Sequence, residues 1–66
     1  MQISLNGKAQ EVAASTTVAD LLESLGYTGK RVAVERNGDI VPKSRHAETA
    51  LADADKLEIV VAVGGG

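Results

Sequence analysis

Leu57-Glu58-Ile59-Val60-Val61-Ala62-Val63 is the strongest strand-forming run in the chain, interrupted only by Glu58. A nearly continuous apolar run suits a strand with neighbours on both flanks, often with one of them parallel. The rest of the chain then has to supply a partner for each flank. Side chains alternate along a strand, so Leu57, Ile59 and Val61 share one face and Glu58, Val60 and Ala62 the other. With the first set turned inward, Val60 and Ala62 form an outward apolar spot.

The start of the chain offers the parallel neighbour. Gln2-Ile3-Ser4-Leu5 alternates, which puts Ile3 and Leu5 on one face. Asn6-Gly7 predicts a type I′ hairpin turn, and Lys8 to Val12 the return strand. Thr16 or Thr17 can cap a helix, and Asp20, three residues after Thr17, supplies a shortened capping box. Val18, Leu21, Leu22 and Leu25 fall at i, i+3, i+4 and i+7, a single apolar stripe over Val18–Leu25. Gly26 is placed for a left-handed C-cap.

Beyond a Tyr27–Lys30 loop, Arg31 to Glu35 reads as a third strand with Val32 and Val34 inward. Asn37-Gly38 is a second tight turn and Asp39–Val41 a short fourth strand. Pro42 belongs at an edge or a strand end. A short helical turn is expected over Ala47–Leu51, a turn over Ala52–Asp55, and Lys56 opens the last strand. The expected core is Ile3, Leu5, Val18, Leu21, Leu22, Leu25, Val34, Leu57 and Ile59. If the last strand lies beside the first, the fold is α+β. It is then a β-grasp, a mixed sheet of four to five strands over one helix, with right-handed crossover.

Composition narrows the function. Sixty-six residues allow one domain, with a core that supplies about 3–5 kcal/mol. There is no Cys, and His46 is the only His. Disulfides, thiolate zinc sites and chemistry on a cysteine are therefore excluded. A net charge of −2 and a single aromatic residue, Tyr27, argue against nucleic acid. A reducing cytoplasm is the natural compartment for a chain without Cys, and the alternating start reads as neither signal peptide nor membrane span, so no membrane partner is expected.

Several constellations look like sites and are better read as structure. Gly26-x-x-Gly29 has the spacing of a nucleic-acid clamp but not its flanking helices or basic surface. Ser44 and His46 lack a cavity in which a nucleophilic pair could be held, so His46 is expected in a solvated loop. Asp53 and Asp55 are too few for a calcium loop and fit a turn. Lys30, Arg31, Lys43 and Arg45 read as solvated ends rather than an anion site.

Gly64-Gly65-Gly66 reads either as a linker, a cloning scar or a frayed end, or as a functional tail, and Met1 starting directly into a strand pattern favours the tail. Glycine loses the most backbone entropy on ordering and adds nothing to packing. Three in extended form carry a carboxylate roughly 10 Å past the last packed side chain. The expectation is a domain over residues 1–63 and a flexible glycine tail over 64–66 that threads a partner's active site. Glu58, Val60 and Ala62 would be the adjoining docking surface.

Three stretches then carry a resemblance. They are Val32-Ala33-Val34 leading to Asn37-Gly38-Asp39-Ile40-Val41-Pro42, next Asp53-Ala54-Asp55-Lys56-Leu57-Glu58-Ile59-Val60, and finally Gly65-Gly66. In that order and spacing the whole chain resembles the ubiquitin-like sulfur carrier proteins of thiamin biosynthesis. The resemblance implies that the Gly66 carboxylate is adenylated by an activating enzyme with ATP. A persulfide-bearing donor then converts it to a thiocarboxylate, whose sulfur goes to thiazole synthase. Gly65 and Gly64 would be the thread behind Gly66. The chain itself would be no enzyme and would bind no metal or cofactor; ATP belongs to the activating partner. Many members have Gly where this chain has Ala54, and a large aromatic near His46.

Other readings remain open at this stage. A sulfur carrier of molybdopterin synthesis shares the fold and the diglycine, but is usually longer between the third and last strands. A ubiquitin-like modifier shares the activation chemistry. A regulatory or RNA-binding β-grasp module lacks the diglycine.

Overall fold

In a computed structural model, which describes residues 1–62, five strands form one sheet over one helix. β1 (Gln2–Leu5), β2 (Lys8–Glu11), α1 (Val18–Ser24), β3 (Val32–Arg36), β4 (Asp39–Val41) and β5 (Lys56–Val61) follow in chain order. The sheet order is β2-β1-β5-β3-β4, a β-grasp with β5 at the centre. β5 runs parallel to β1 and antiparallel to β3, which is what its apolar run demands. Both hairpin turns have the positive φ that type I′ requires, at Asn6 and Gly7 and at Asn37 and Gly38.

The helix forms where its signals lie. Thr17 accepts from the Asp20 backbone N–H, and Asp20 returns the bond to the Thr17 N–H. The far end closes as a Schellman motif. Gly26 N–H donates to Glu23 O and Tyr27 N–H to Leu22 O, with Gly26 at φ +78°. Leu25 is the C-cap and stands outside the helix proper.

Val18, Leu21 and Leu22 pack on Ile3, Val34, Leu57 and Ile59. Two expected core residues, Leu5 and Leu25, are only half-buried, because each sits at the open end of its element. Leu51 joins the core instead. It is drawn in because Leu51 N–H donates to Thr16 O, while Ala50 bridges to Thr17.

Two further expectations are corrected. The helical turn lies at Lys43–Arg45, a 3₁₀ turn, and not at Ala47–Leu51. Pro42 pre-sets its start and accepts from Arg45 N–H, and Thr49 and Ala50 are then committed to the start of α1. His46 is 7% exposed, not solvated. Its ring Nε2 lies 3.0 Å from Val41 O, and its own carbonyl accepts from Ala19 N–H. β3 is also displaced by one residue, to Arg36.

Ala54 stands at φ +70°. That conformation costs a non-glycine residue about 1–2 kcal/mol, and glycine returns roughly 0.5–1 kcal/mol through its freer unfolded state. Ala54→Gly should therefore stabilise the fold slightly and raise the melting temperature by about 3–6 °C. A thermal scan showing no rise would contradict this.

Candidate functional site

The site is built around the end of β5. Up to Leu57, β5 is flanked by β1 on one side, and up to Val61 by β3 on the other. Past the end of β1, Asn6 takes over as a surrogate partner. Its side-chain Oδ1 accepts from Ile59 N–H at 2.8 Å, and its Nδ2 donates to Ile59 O at 3.1 Å. On the other flank Ala62 N–H donates to Arg31 O at 2.9 Å. The last described residues of the strand are thus hydrogen-bonded on both flanks, at Ile59 by Asn6 and at Ala62 by Arg31.

The face of β5 turned away from the helix carries Glu58, Val60 and Ala62, all exposed, as the alternation predicted. Val60 is 64% exposed, while Leu57 and Ile59 are buried. The register adds neighbours that the β5 sequence alone does not show. Ala33 pairs with Val60, and Glu35 pairs with both Glu58 and Ile40. Ile40 is 71% exposed. The result is an apolar patch of Val60, Ala33 and Ile40, crossed by two glutamates. A partner matching it would bring apolar side chains and basic groups. Ala33 and Glu35 could have been found from the sequence by alternating outward from the inward Val32 and Val34. Ile40 needed the β3–β4 register.

Gly64, Gly65 and Gly66 lie outside the described residues, as does Val63. The remaining candidates fall elsewhere. Ser44 is exposed in the 3₁₀ turn, and His46 is turned to Val41 O, so the structure does not join them. Asp53 accepts from Gln2 N–H. Asp55 is buried and holds Arg36, Asn37 and Ala52 N–H together. Burial alone would raise its pKa, but the bonds from Ala52, Arg36 and Asn37 outweigh that and hold the carboxyl below its ordinary 3.8. Arg45 faces Glu48, while Lys30, Arg31 and Lys43 line one pocket. Among the described residues no group of His, Asp and Glu is arranged to hold a metal ion. No described helix is long and apolar enough to cross a membrane.

Comparisons with known proteins agree with this architecture. The sequence profile of the ThiS family matches residues 3–66. A thiazole synthase of Paramagnetospirillum magneticum is 52% identical over 66 residues, all of this chain but only 20% of that protein. A second thiazole synthase, of Magnetococcus marinus, is 39% identical, and the chain again spans 20% of it. The sulfur carrier protein ThiS of Bacillus subtilis is 46% identical over 65 residues, covering 97% of this chain and 98% of the relative. The crystal structure of the thiamine biosynthesis protein ThiS from Geobacter metallireducens superposes with a TM-score of 0.84 at 33% identity, each chain fully covered.

Proposed function

The chain belongs to the ThiS family, and from that premise we propose that it is the sulfur carrier of thiamin biosynthesis. The observation that supports this best is the match to a named sulfur carrier along nearly the whole length of both chains. Relatives in which a similar sequence makes up a fifth of a thiazole synthase support that enzyme as the acceptor of the sulfur.

In this reading the Gly66 carboxylate attacks the α-phosphorus of ATP on an adenylating partner, and pyrophosphate leaves. A carboxylate is a poor acyl donor, and the mixed anhydride gives it AMP as a leaving group. The persulfide of a donor protein displaces AMP, and a thiol then cleaves the S–S bond, which leaves sulfur on Gly66. The partner supplies preorganised charge around the nucleotide. The carrier is a co-substrate that supplies a positioned terminus with no Cβ to crowd the acyl carbon. Gly65 and Gly64 are the thread behind it. The end of β5 supports such positioning, because it is hydrogen-bonded by Asn6 and Arg31 just upstream.

The Val60–Ala33–Ile40 patch, with Glu58 and Ala62 beside it, is the proposed docking surface for the adenylating enzyme. Val60→Asp should leave the melting temperature within a few degrees of wild type, since Val60 is solvent-facing. It should raise the KM for the carrier in ATP–pyrophosphate exchange at least tenfold, by placing a third carboxylate in a contact that excludes water. An unchanged KM would remove the patch from the interface.

A further inference from the structure

A pocket of about 390 Å³ opens on the helix side of the sheet, between α1, the Tyr27–Arg31 loop and the segment after the 3₁₀ turn. Leu22, Val32 and Tyr27 contribute apolar wall, and Lys30, Arg31 and Lys43 bring three exposed cations. No Asp or Glu lines it, although acidic residues outnumber basic ones in the chain, nine to seven. Among the described residues none of the three cations has a carboxylate within ion-pair distance, whereas Arg36 and Arg45 each do. Three unpaired like charges gathered on one concave surface repel one another, and an acidic partner relieves that cost. The pocket also adjoins the end of β5, because Arg31 O accepts from Ala62 N–H.

We propose that this pocket receives an acidic segment of the adenylating partner, a carboxylate meeting Lys30, Arg31 and Lys43 while an adjacent apolar side chain lies against Leu22 and Val32. The inference rests on the adenylation reading. An enzyme that grips the residues after Ala62 comes within reach of this pocket, on the opposite side of the sheet from the Val60 patch. Its volume suits one or two side chains. A nucleic acid is disfavoured by the acidic remainder of the surface.

The test is ATP–pyrophosphate exchange with the carrier concentration varied, for wild type, Lys30→Gln/Lys43→Gln and Lys8→Glu. The double variant and Lys8→Glu change the net charge equally, and Lys8 lies on β2 at the far edge of the sheet. For the double variant KM should rise about tenfold, kcat should stay within about twofold, and the salt dependence of KM should weaken. Lys8→Glu should move KM by less than about twofold. An unchanged KM in the double variant, or an equal rise in Lys8→Glu, overturns the proposal. So do saturable amide shifts at Lys30–Val32 when AMP is added to the carrier alone, since the pocket would then be a nucleotide site. A wild-type chain that gives no exchange at all removes the adenylation reading and this inference together. That failure is distinct from a working carrier indifferent to the double substitution.

Discussion

Removal of Gly65 and Gly66 should leave the melting temperature of the chain unchanged within about 1 °C while reducing ATP–pyrophosphate exchange to background. The first half follows from composition, since neither residue has a side chain with which to bury apolar surface. The second half follows from the proposed chemistry. In that proposal the nucleophile toward ATP is the carboxylate of Gly66, and a chain shortened by two residues would bring its carboxylate roughly 7 Å short of the reacting phosphorus. Misplacement on that scale forfeits the advantage of a positioned reactant, which is most of what the carrier contributes. Gly66→Ala separates reach from access. It keeps the length and should fold equally well, yet be adenylated poorly, because a methyl group on the carbon next to the carboxylate widens the thread that must enter the partner's active site. Undiminished exchange by the truncated chain would mean that the reacting group lies elsewhere.

The largest effect on the fold is expected at Asp55. Its carboxylate accepts from Arg36 Nε at 2.7 Å, from Asn37 Nδ2 at 3.1 Å and from Ala52 N–H at 2.8 Å. Asn37 in turn accepts from Lys56 N–H, so one buried carboxylate ties the β3–β4 turn to the start of β5. Asp55→Ala strands these donors and should cost about 2–3 kcal/mol, discounted for the partial exposure of Arg36. With roughly 3–5 kcal/mol available to so small a core, a large fraction of the variant should unfold near physiological temperature. The same group sets an acid limb. Its folded pKa lies below the ordinary 3.8, so its contribution is fully present above that value and is lost as pH falls through the depressed one. Denaturant titrations from pH 6 downward should show wild type losing stability below about pH 4, and Asp55→Asn should flatten that limb. An Asp55→Asn limb as steep as wild type would place the acid sensitivity in other carboxylates.

The readable parts of the fold were those carried by local chemistry. Thr17 with Asp20, Gly26 after Leu25, and the Asn6-Gly7 and Asn37-Gly38 pairs each specify a cap or a turn within a few residues, and all formed as expected. The nearly continuous apolar run, broken only at Glu58, points to a strand flanked on both sides, and β5 lies at the centre of the sheet with β1 parallel beside it. The misread parts depend on contacts distant in sequence. His46 is buried where its carbonyl accepts from Ala19 N–H, and Leu51 where its N–H donates to Thr16 O. Asp55 as a turn former was correct, but its pairing with Arg36 across 19 residues has no local signature. The same division holds at the site. Alternation was enough to put Glu58, Val60 and Ala62 outward, whereas the register was needed to set Ile40 and Glu35 beside them. The gathering of Lys30, Arg31 and Lys43 around one pocket required the 3₁₀ turn to be in place. The chemistry assigned to Gly66 came from the resemblance and the absence of any cysteine, and Gly66 lies outside the described part of the chain.

Intact-mass spectrometry of the protein purified from cells starved of thiamin tests the central claim most directly. A fraction of the molecules should carry one oxygen replaced by one sulfur, and fragmentation should place that sulfur on Gly66. A homogeneous unmodified mass under those conditions, or a sulfur mapped to any other residue, would contradict the carrier function.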